Sequence, residues 1–156
     1  MKKYTLLILL LCMFTLIACQ KRIDEASVQI GSQIISLEDD MDDALKKLGN
    51  FKLHKQMKSC LYPGYDHEYT FDDVILSTYP KNGKQKIKAI RVISENVHMH
   101  KSLKIHDKEA NIKKAYTIQP SVSSSFLITY KNHKVGTSFY LKNGVIEEYE
   151  LYSLDE

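Results

Sequence analysis

Cysteine is scarce in this chain of 156 residues, which contains three, and tryptophan is absent. Cys12 and Cys19 lie near the start, so Cys60 is the single cysteine of all that follows. A folded part with one cysteine forms no internal disulfide, which excludes the disulfide-stapled scaffolds. We expect Cys60 to be a small apolar core residue, and a reactive thiol is the alternative.

The chain also lacks an apolar run long enough to cross a membrane as a helix. Its longest apolar stretch runs without a charge from Tyr4 to Ala18, whereas a bilayer core requires about 20 apolar residues. Lys2 and Lys3 precede this stretch and give it a short positive flank. A positive flank followed by a short apolar segment is typical of a cleaved export signal.

The residues that end this stretch, Leu16-Ile17-Ala18-Cys19, resemble the lipobox of bacterial lipoproteins. In that motif an aliphatic residue lies three positions before the cysteine, and a small residue beside the cleaved bond fits the signal peptidase. The thiol forms the thioether to diacylglycerol. We therefore expect a lipoprotein signal peptide over 1–18, recognised through Leu16 and Ala18, and a lipid on Cys19. An ordinary secretory signal or an uncleaved anchor helix with an incidental Cys19 is the alternative.

Strong net charge is absent as well. Cleavage before Cys19 would leave 138 residues with 20 basic and 19 acidic side chains. This balance gives no basic surface for nucleic acid, so no nucleic-acid partner is expected. The expected partner is membrane lipid through Cys19, because two acyl chains provide a stable anchor. Abundant Lys, Ile, Tyr and Asn resemble the composition of low-GC Gram-positive bacteria, which predicts the extracytoplasmic face of a cell membrane.

Periodicity predicts the order of the elements after the lipidated cysteine. Residues 19–26 are polar and unpatterned and are predicted to be a lipidated tether. The alternation in 27–37 predicts a hairpin that turns at Gly31-Ser32. Apolar residues at helical spacing predict helices over 38–48 and 107–116. Three strands are predicted after each helix, at 65–71, 74–79 and 87–93 and again at 126–130, 135–141 and 145–152.

The two halves align with each other through their turns. Residues 77–83 match 138–144 at an offset of 61, and beyond the turn the offset becomes 59, which predicts two additional residues, Lys84-Gln85, in the first hairpin. We predict an α+β fold, a tandem repeat of helix plus three-stranded antiparallel meander that could form one continuous curved sheet, with an N-terminal hairpin. Residues 27–98 would hold the hairpin and repeat 1, and 99–156 the connector and repeat 2.

Five segments of the first half carry a resemblance to known proteins. They are Cys60, Gly64-Tyr65-Asp66, His67–Phe71, Thr78-Tyr79-Pro80 and Ile87–Val92. With them the chain resembles the β-lactamase-inhibitor-protein-like and SmpA/OmlA-like lipoprotein domains, and more closely uncharacterised lipoproteins of clostridia, over residues 28–152. Ser102, His106 and Thr117 depart from the pattern, because those proteins tend to place glycine there. The resemblance implies a fold and a location, and it implies no activity.

Two groups of residues are candidates for a metal site. The connector histidines, which could supply zinc ligands, are His98, His100 and His106. They lie among lysines and lack a cysteine or carboxylate at ligand spacing, so we expect solvated loop histidines. The acidic residues that could suggest calcium are Asp39, Asp40, Asp42 and Asp43. They lack the glycine and distal glutamate of a calcium loop, so we expect a solvated helix start. No metal or other cofactor is predicted.

Cys60 and His67 are the one nucleophile–base pair worth considering. No glycine-rich oxyanion turn accompanies them, and the neighbouring Asp66 and Glu68 are expected on the opposite strand face from His67. We therefore predict no catalytic residue. A cell-envelope enzyme that uses Cys60 and His67, or a metal-dependent variant that uses the connector histidines, is the alternative function.

Tyrosines are numerous in the predicted strands. An antiparallel sheet with helices on one face leaves its other face open, and tyrosine offers a large contact area at low entropic cost. High β-propensity alone is the alternative explanation for these residues. The residues of the candidate binding face are Tyr69, Tyr79, Tyr130 and Tyr140. We predict a non-catalytic, lipid-anchored protein that binds a protein or an envelope component. A ligand-binding accessory lipoprotein of a transporter is a further alternative.

Overall fold

The computed structural model describes residues 23–154, and the predicted signal sequence with Cys19 lies outside them. The strands are β1 (Ser27–Ile30), β2 (Gln33–Ser36), β3 (Leu53–Lys58), β4 (Tyr65–Thr70), β5 (Val74–Lys81), β6 (Lys84–Val92), β7 (Val97–Met99), β8 (Val122–Ser123), β9 (Leu127–Lys131), β10 (Val135–Lys142) and β11 (Val145–Ser153). The helices are α1 (Met41–Leu48), a single 3₁₀ turn (His100–Ser102) and α2 (Glu109–Ala115). Within residues 23–154, no helix combines the length and apolarity that crossing a bilayer requires.

The strands form two antiparallel sheets. The small sheet has the order β2-β1-β7, and the large sheet has the order β3-β4-β5-β6-β11-β10-β9-β8. Half of the described residues lie in strands and 14% in helices. The predicted α+β fold, a tandem repeat of one helix and three strands, is therefore wrong.

The missed strands explain most of this error. All six residues of β3 are exposed, so it lacks the alternation of buried side chains by which a strand is recognised in a sequence. β8 has only two residues, both exposed. β7 lies in the predicted connector and pairs with β1. β7 forms because it pairs with a strand that is distant in the chain, and β3 and β8 lie at the edges of the large sheet. Neither a distant partner nor an edge position produces a pattern in the local sequence.

The helices begin later than predicted because the residues before them pair with the large sheet. The Glu38 N–H donates to the Ile87 carbonyl at 2.8 Å, and the Ile87 N–H donates to the Asp39 carbonyl at 3.0 Å. His106 and Asp107 pair with Ile146 in the same way, at 2.8 and 2.9 Å. The backbone groups of these segments are thus satisfied by strands, and α1 and α2 begin only at Met41 and Glu109.

The hairpins of the large sheet turn where the sequence indicates, but their lengths differ from the prediction. Asn82-Gly83 and Asn143-Gly144 all have positive φ, as two-residue hairpin turns require. The predicted insertion at Lys84-Gln85 is wrong, because both hairpins have a two-residue turn and a bulge. The β5–β6 hairpin continues four residue pairs beyond its bulge, and the β10–β11 hairpin continues two. An alignment of the two halves through their turns therefore places the strands of one half two residues away from their structural equivalents in the other half.

One hydrophobic core joins a single face of the large sheet to the small sheet and both helices. It contains Val28 and Ile35 of the small sheet, Met41 of α1 and Ile112 of α2. The predicted connector belongs to it, because Val97, Met99, Leu103 and Ile105 are buried. The core residues of the large sheet alternate along their strands and all lie on one face, so the opposite face is left outside this core.

Residues 23–26, predicted to belong to the tether, are attached to the folded part. The Ala26 carbonyl accepts the Leu37 N–H at 2.8 Å. The Ile23 carbonyl lies 3.0 Å from His100 Nδ1, and Glu25 is hydrogen-bonded to the Asn132 amide. At most residues 19–22 are therefore left as the tether between the predicted lipid and the domain.

Candidate functional site

The candidate site is the face of the large sheet opposite the core, called the open face below. It consists of Ile75, Ser77, Tyr79, Ala89, Arg91, Ser138, Tyr140, Glu150 and Tyr152. These residues alternate along β5, β6, β10 and β11 with the buried core residues. Cross-strand pairs join Ser77 to Ala89, Arg91 to Glu150 and Glu150 to Ser138, so the face continues across the join between β6 and β11.

The four tyrosines predicted to form one binding face are divided between the two faces. Tyr130 is buried in the core, where its ring stacks on Tyr116 with centroids 4.2 Å apart. Tyr69 packs against the core and stacks on His54 at 4.5 Å. Tyr79 and Tyr140 lie on the open face, but Tyr79 is only 4% exposed, with the Tyr62 ring and the Glu38 carboxylate against it. The period of two in a strand separates the residues into two sets, but it does not say which set meets the core.

Tyr62 was missed by the sequence reasoning because it lies in an irregular loop. Its ring contacts Tyr79 with centroids 4.9 Å apart, and Lys88 Nζ lies 5.8 Å from the centre of the Tyr62 ring. A cavity of about 400 Å³ opens beside the two rings. Its lining consists of Glu38, Tyr62, Tyr79, Lys81, Lys134, Ser153 and Leu154. We call it the Tyr62–Tyr79 cleft.

Glu38 carries the negative charge of this cleft. It accepts hydrogen bonds from Tyr79 Oη at 2.8 Å, from Lys81 Nζ at 2.7 Å and from Ser153 Oγ at 3.3 Å. Burial alone would raise the pKa of Glu38, but the hydrogen bonds from Lys81 and Tyr79 outweigh it and lower that pKa. The carboxylate is therefore ionised at neutral pH and already holds three donors. Such a group orients its neighbours and is poorly placed to exchange a proton with a ligand.

A second polar group lies on the open face where β6 meets β11. The Arg91 guanidinium lies 3.6 Å from the Glu150 carboxylate, which also accepts the Tyr140 hydroxyl at 3.3 Å. Burial, followed by the charge of Glu150, raises the pKa of Tyr140, which keeps its hydroxyl protonated. Arg91 Nε is buried and has no hydrogen-bond partner among residues 23–154.

Cys60 and His67 do not form a pair in this fold. Cys60 is exposed, so its prediction as a core residue is wrong. His67 lies on β4, where its Nδ1 is 2.8 Å from Nε2 of His54. Burial and the neighbouring His54 lower the pKa of His67. Among the described residues, the ring of His67 is engaged by His54 and Tyr69 rather than by the thiol.

We expect Cys60 to react with iodoacetamide in the folded protein about as readily as in the urea-unfolded chain, because its side chain is exposed. Cys60→Ala should change the free energy of unfolding by less than about 0.5 kcal/mol, as surface substitutions usually do. Mass spectrometry of the alkylated peptide and urea denaturation measure the two effects. Protection of the thiol in the folded state, or a large loss of stability, would restore the prediction of a core cysteine.

The connector histidines are dispersed. His98 lies on β7 opposite Gln29, His100 contacts Ile23, and His106 lies 3.5 Å from Glu95. The described part of the chain contains no group of three or more side chains that could hold a metal ion. The prediction of solvated histidines is confirmed for His98 and His106, which are exposed. The prediction of a loop is wrong at His98, because β7 places the neighbouring Val97 and Met99 in the core.

The predicted acidic helix start is also not simply solvated. Asp40 lies before α1, where it is ion-paired with Lys84 at 2.6 Å and with Lys86 at 2.7 Å. Asp39 accepts the Ser36 N–H at 3.1 Å. Asp42 and Asp43 are exposed, and Asp43 pairs with Lys46 one turn later in the helix. Asp39 and Asp40 thus connect the start of α1 to β2 and β6.

No protein-family model matches this chain, and neither a curated protein nor a solved structure is significantly similar to it. The resemblance to clostridial lipoproteins is therefore still a prediction, and the function has to be argued from the residues themselves.

Proposed function

We propose that this chain is a lipid-anchored extracytoplasmic protein that acts by binding, without catalysis, and that its open face receives another protein or an envelope component. The observation that supports this most is the face of the eight-stranded sheet opposite the core, which no helix of residues 23–154 covers. Tyr140 and Tyr152 lie on it partly exposed, and Tyr62 lies at its rim against the buried Tyr79. The lipobox at Cys19 supports the location.

The chemistry of the face is that of a protein contact. Tyrosine and arginine are the residue types that contribute most to binding energy at interfaces, together with tryptophan, which this chain lacks. The Arg91 side chain is 41% exposed on this face, beside Glu150. Ser77 and Ala89 are small and partly exposed, so a partner could approach the sheet closely beside them. The lysines of the Tyr62–Tyr79 cleft would favour a partner with acidic groups at that end.

A cross-linking pull-down from intact cells tests this proposal, with Tyr140→Ala and Tyr62→Ala compared with the unmodified chain. If these tyrosines are major contributors, each worth about 2 kcal/mol, recovery of the specific partner should fall roughly thirtyfold for each variant. Tyr65→Ala is the matched control, because Tyr65 is 51% exposed and lies outside the open face. Equal recovery with all three variants, or a loss only with Tyr65→Ala, would contradict the open face as the binding surface.

A further inference from the structure

A second concave region lies beside the residues where the described chain begins. Two adjoining cavities of about 300 and 540 Å³ share Tyr116, Thr117, Ile118 and Tyr130 in their linings. Ligand-binding pockets in proteins range from about 300 to 1,000 Å³. Together the two cavities form a divided groove, called the Tyr116 groove below.

The groove has an aromatic floor and a cationic rim. Tyr116 and Tyr130 are stacked, and burial raises the pKa of Tyr116 to about 12, so its hydroxyl is a neutral donor. Lys101 Nζ lies 3.9 Å from the centre of the Tyr116 ring. Lys131 on the rim is exposed and has no charged partner among residues 23–154. Ile118 is 52% exposed between the two cavities.

The backbone at the rim adopts an uncommon conformation. Lys101 and the following Ser102 both have positive φ, 65° and 56°, which costs free energy in residues other than glycine. In this conformation Lys101 is exposed and its Nζ lies over the Tyr116 ring. An ammonium over an aromatic face retains its charge and is available to a neighbouring anion.

The position of the groove relative to the predicted lipid decides which ligand can reach it. Glu25 lines the groove, and the described chain begins two residues earlier at Ile23. Four residue steps separate Ile23 from Cys19, so the two Cα atoms are at most about 14 Å apart. A chain anchored at Cys19 therefore keeps the groove close to the lipid headgroups of the membrane.

We propose that the Tyr116 groove binds the phosphate-bearing headgroup of an anionic phospholipid in the membrane that anchors the chain. Lys101 and Lys131 would contact the phosphate, the Tyr116 hydroxyl would donate to headgroup oxygens, and Ile118 would touch the acyl boundary. The groove also contains one carboxylate, Glu25, whose oxygens face the Asn132 amide and, at 3.7 Å, His100. This proposal rests on the lipid anchor of the proposed function and is independent of the open face.

The absence of tryptophan from the chain provides a clean spectroscopic test. The lipidated Ile118→Trp chain is reconstituted into vesicles of phosphatidylcholine alone or mixed with phosphatidylglycerol, and brominated lipids of either type quench the tryptophan. We expect brominated phosphatidylglycerol to quench this tryptophan severalfold more than brominated phosphatidylcholine. Leu61→Trp is the reporter control, because Leu61 is 69% exposed and follows β3 at the opposite edge of the large sheet.

Charge reversals identify the residues responsible. Adding Lys101→Glu or Lys131→Glu to the Ile118→Trp chain should abolish the preference for phosphatidylglycerol, and Lys58→Glu on the far edge strand should retain it. Equal quenching by both lipids would overturn the proposal. So would free glycerol phosphate if it changed the emission in neutral vesicles as strongly as the lipid, because the ligand would then be soluble.

Flotation of the vesicles separates the two ways of failing. A chain that does not float with any vesicle lacks the lipid anchor, and the proposed function fails together with this inference. A chain that floats but shows no lipid preference retains its anchor, and only the headgroup site is contradicted.

Discussion

Phe139→Ala should lower the free energy of unfolding by about 3–5 kcal/mol, the usual cost of removing a fully buried phenylalanine. Phe139 is 0% exposed and its ring lies between those of Tyr116 and Tyr149, at centroid distances of 5.7 and 6.2 Å. Alanine would leave a cavity in the core, between the Tyr116 and Tyr149 rings. Domains are typically stable by about 5–15 kcal/mol, so the variant should be close to unfolding, as urea denaturation would show.

The neighbouring Tyr140→Ala is the matched control for this prediction. Tyr140 follows Phe139 in β10 and has a side chain of similar size on the opposite face of the sheet. There it is half-buried, and its hydroxyl donates a hydrogen bond to Glu150. We expect Tyr140→Ala to cost less than about 1.5 kcal/mol, mainly through a lost hydrogen bond and limited burial. Equal costs for the two variants would mean that both faces of the sheet are covered, and the open face would then be unavailable to a partner.

Cys19→Ser should abolish incorporation of a fatty-acid label and release the protein from the membrane fraction. Each buried CH₂ contributes about 0.8 kcal/mol, so losing two acyl chains removes the whole anchoring free energy. A serine hydroxyl cannot form the thioether. Metabolic labelling followed by fractionation of the cells measures both effects.

Cys12→Ser is the control for the lipidation experiment, because Cys12 lies inside the same apolar stretch and away from the predicted cleavage site. It should leave labelling and membrane retention unchanged. Retention of the label by Cys19→Ser, or its loss with Cys12→Ser, would show that the lipobox has been assigned to the wrong residues, and the proposed location would fall with it.

Local patterns were sufficient for the hairpin turns and for most of the strands. Gly31-Ser32, Asn82-Gly83 and Asn143-Gly144 turn as expected, because positive φ at these turns suits glycine and asparagine and few other residues. The six strands predicted after the helices lie within a few residues of β4, β5, β6, β9, β10 and β11. A buried strand face leaves a period of two that can be read in the sequence.

Local patterns did not predict the edge strands or the pairings between distant segments. β3 is exposed along its whole length, so nothing in its sequence separates a strand from a loop. The segments before the two helices contain acidic residues that suit a helix start, yet their backbones pair with β6 and β11. A hydrogen bond between residues that are about 40 to 50 positions apart depends on how the sheet closes, and no local preference encodes it.

The candidate sites show the same division. A charged flank, a short apolar run and a cysteine at its end predict export and lipidation, and this prediction lies outside the described residues and stays a prediction. The binding residues required the folded chain. Alternation identifies two sets of residues in β10, but only packing against α2 and the small sheet assigns Phe139 to the core and Tyr140 to the open face. Tyr62 and Lys101 lie in loops without periodicity, and their partners, Tyr79 and Tyr116, meet them only through the closed sheet.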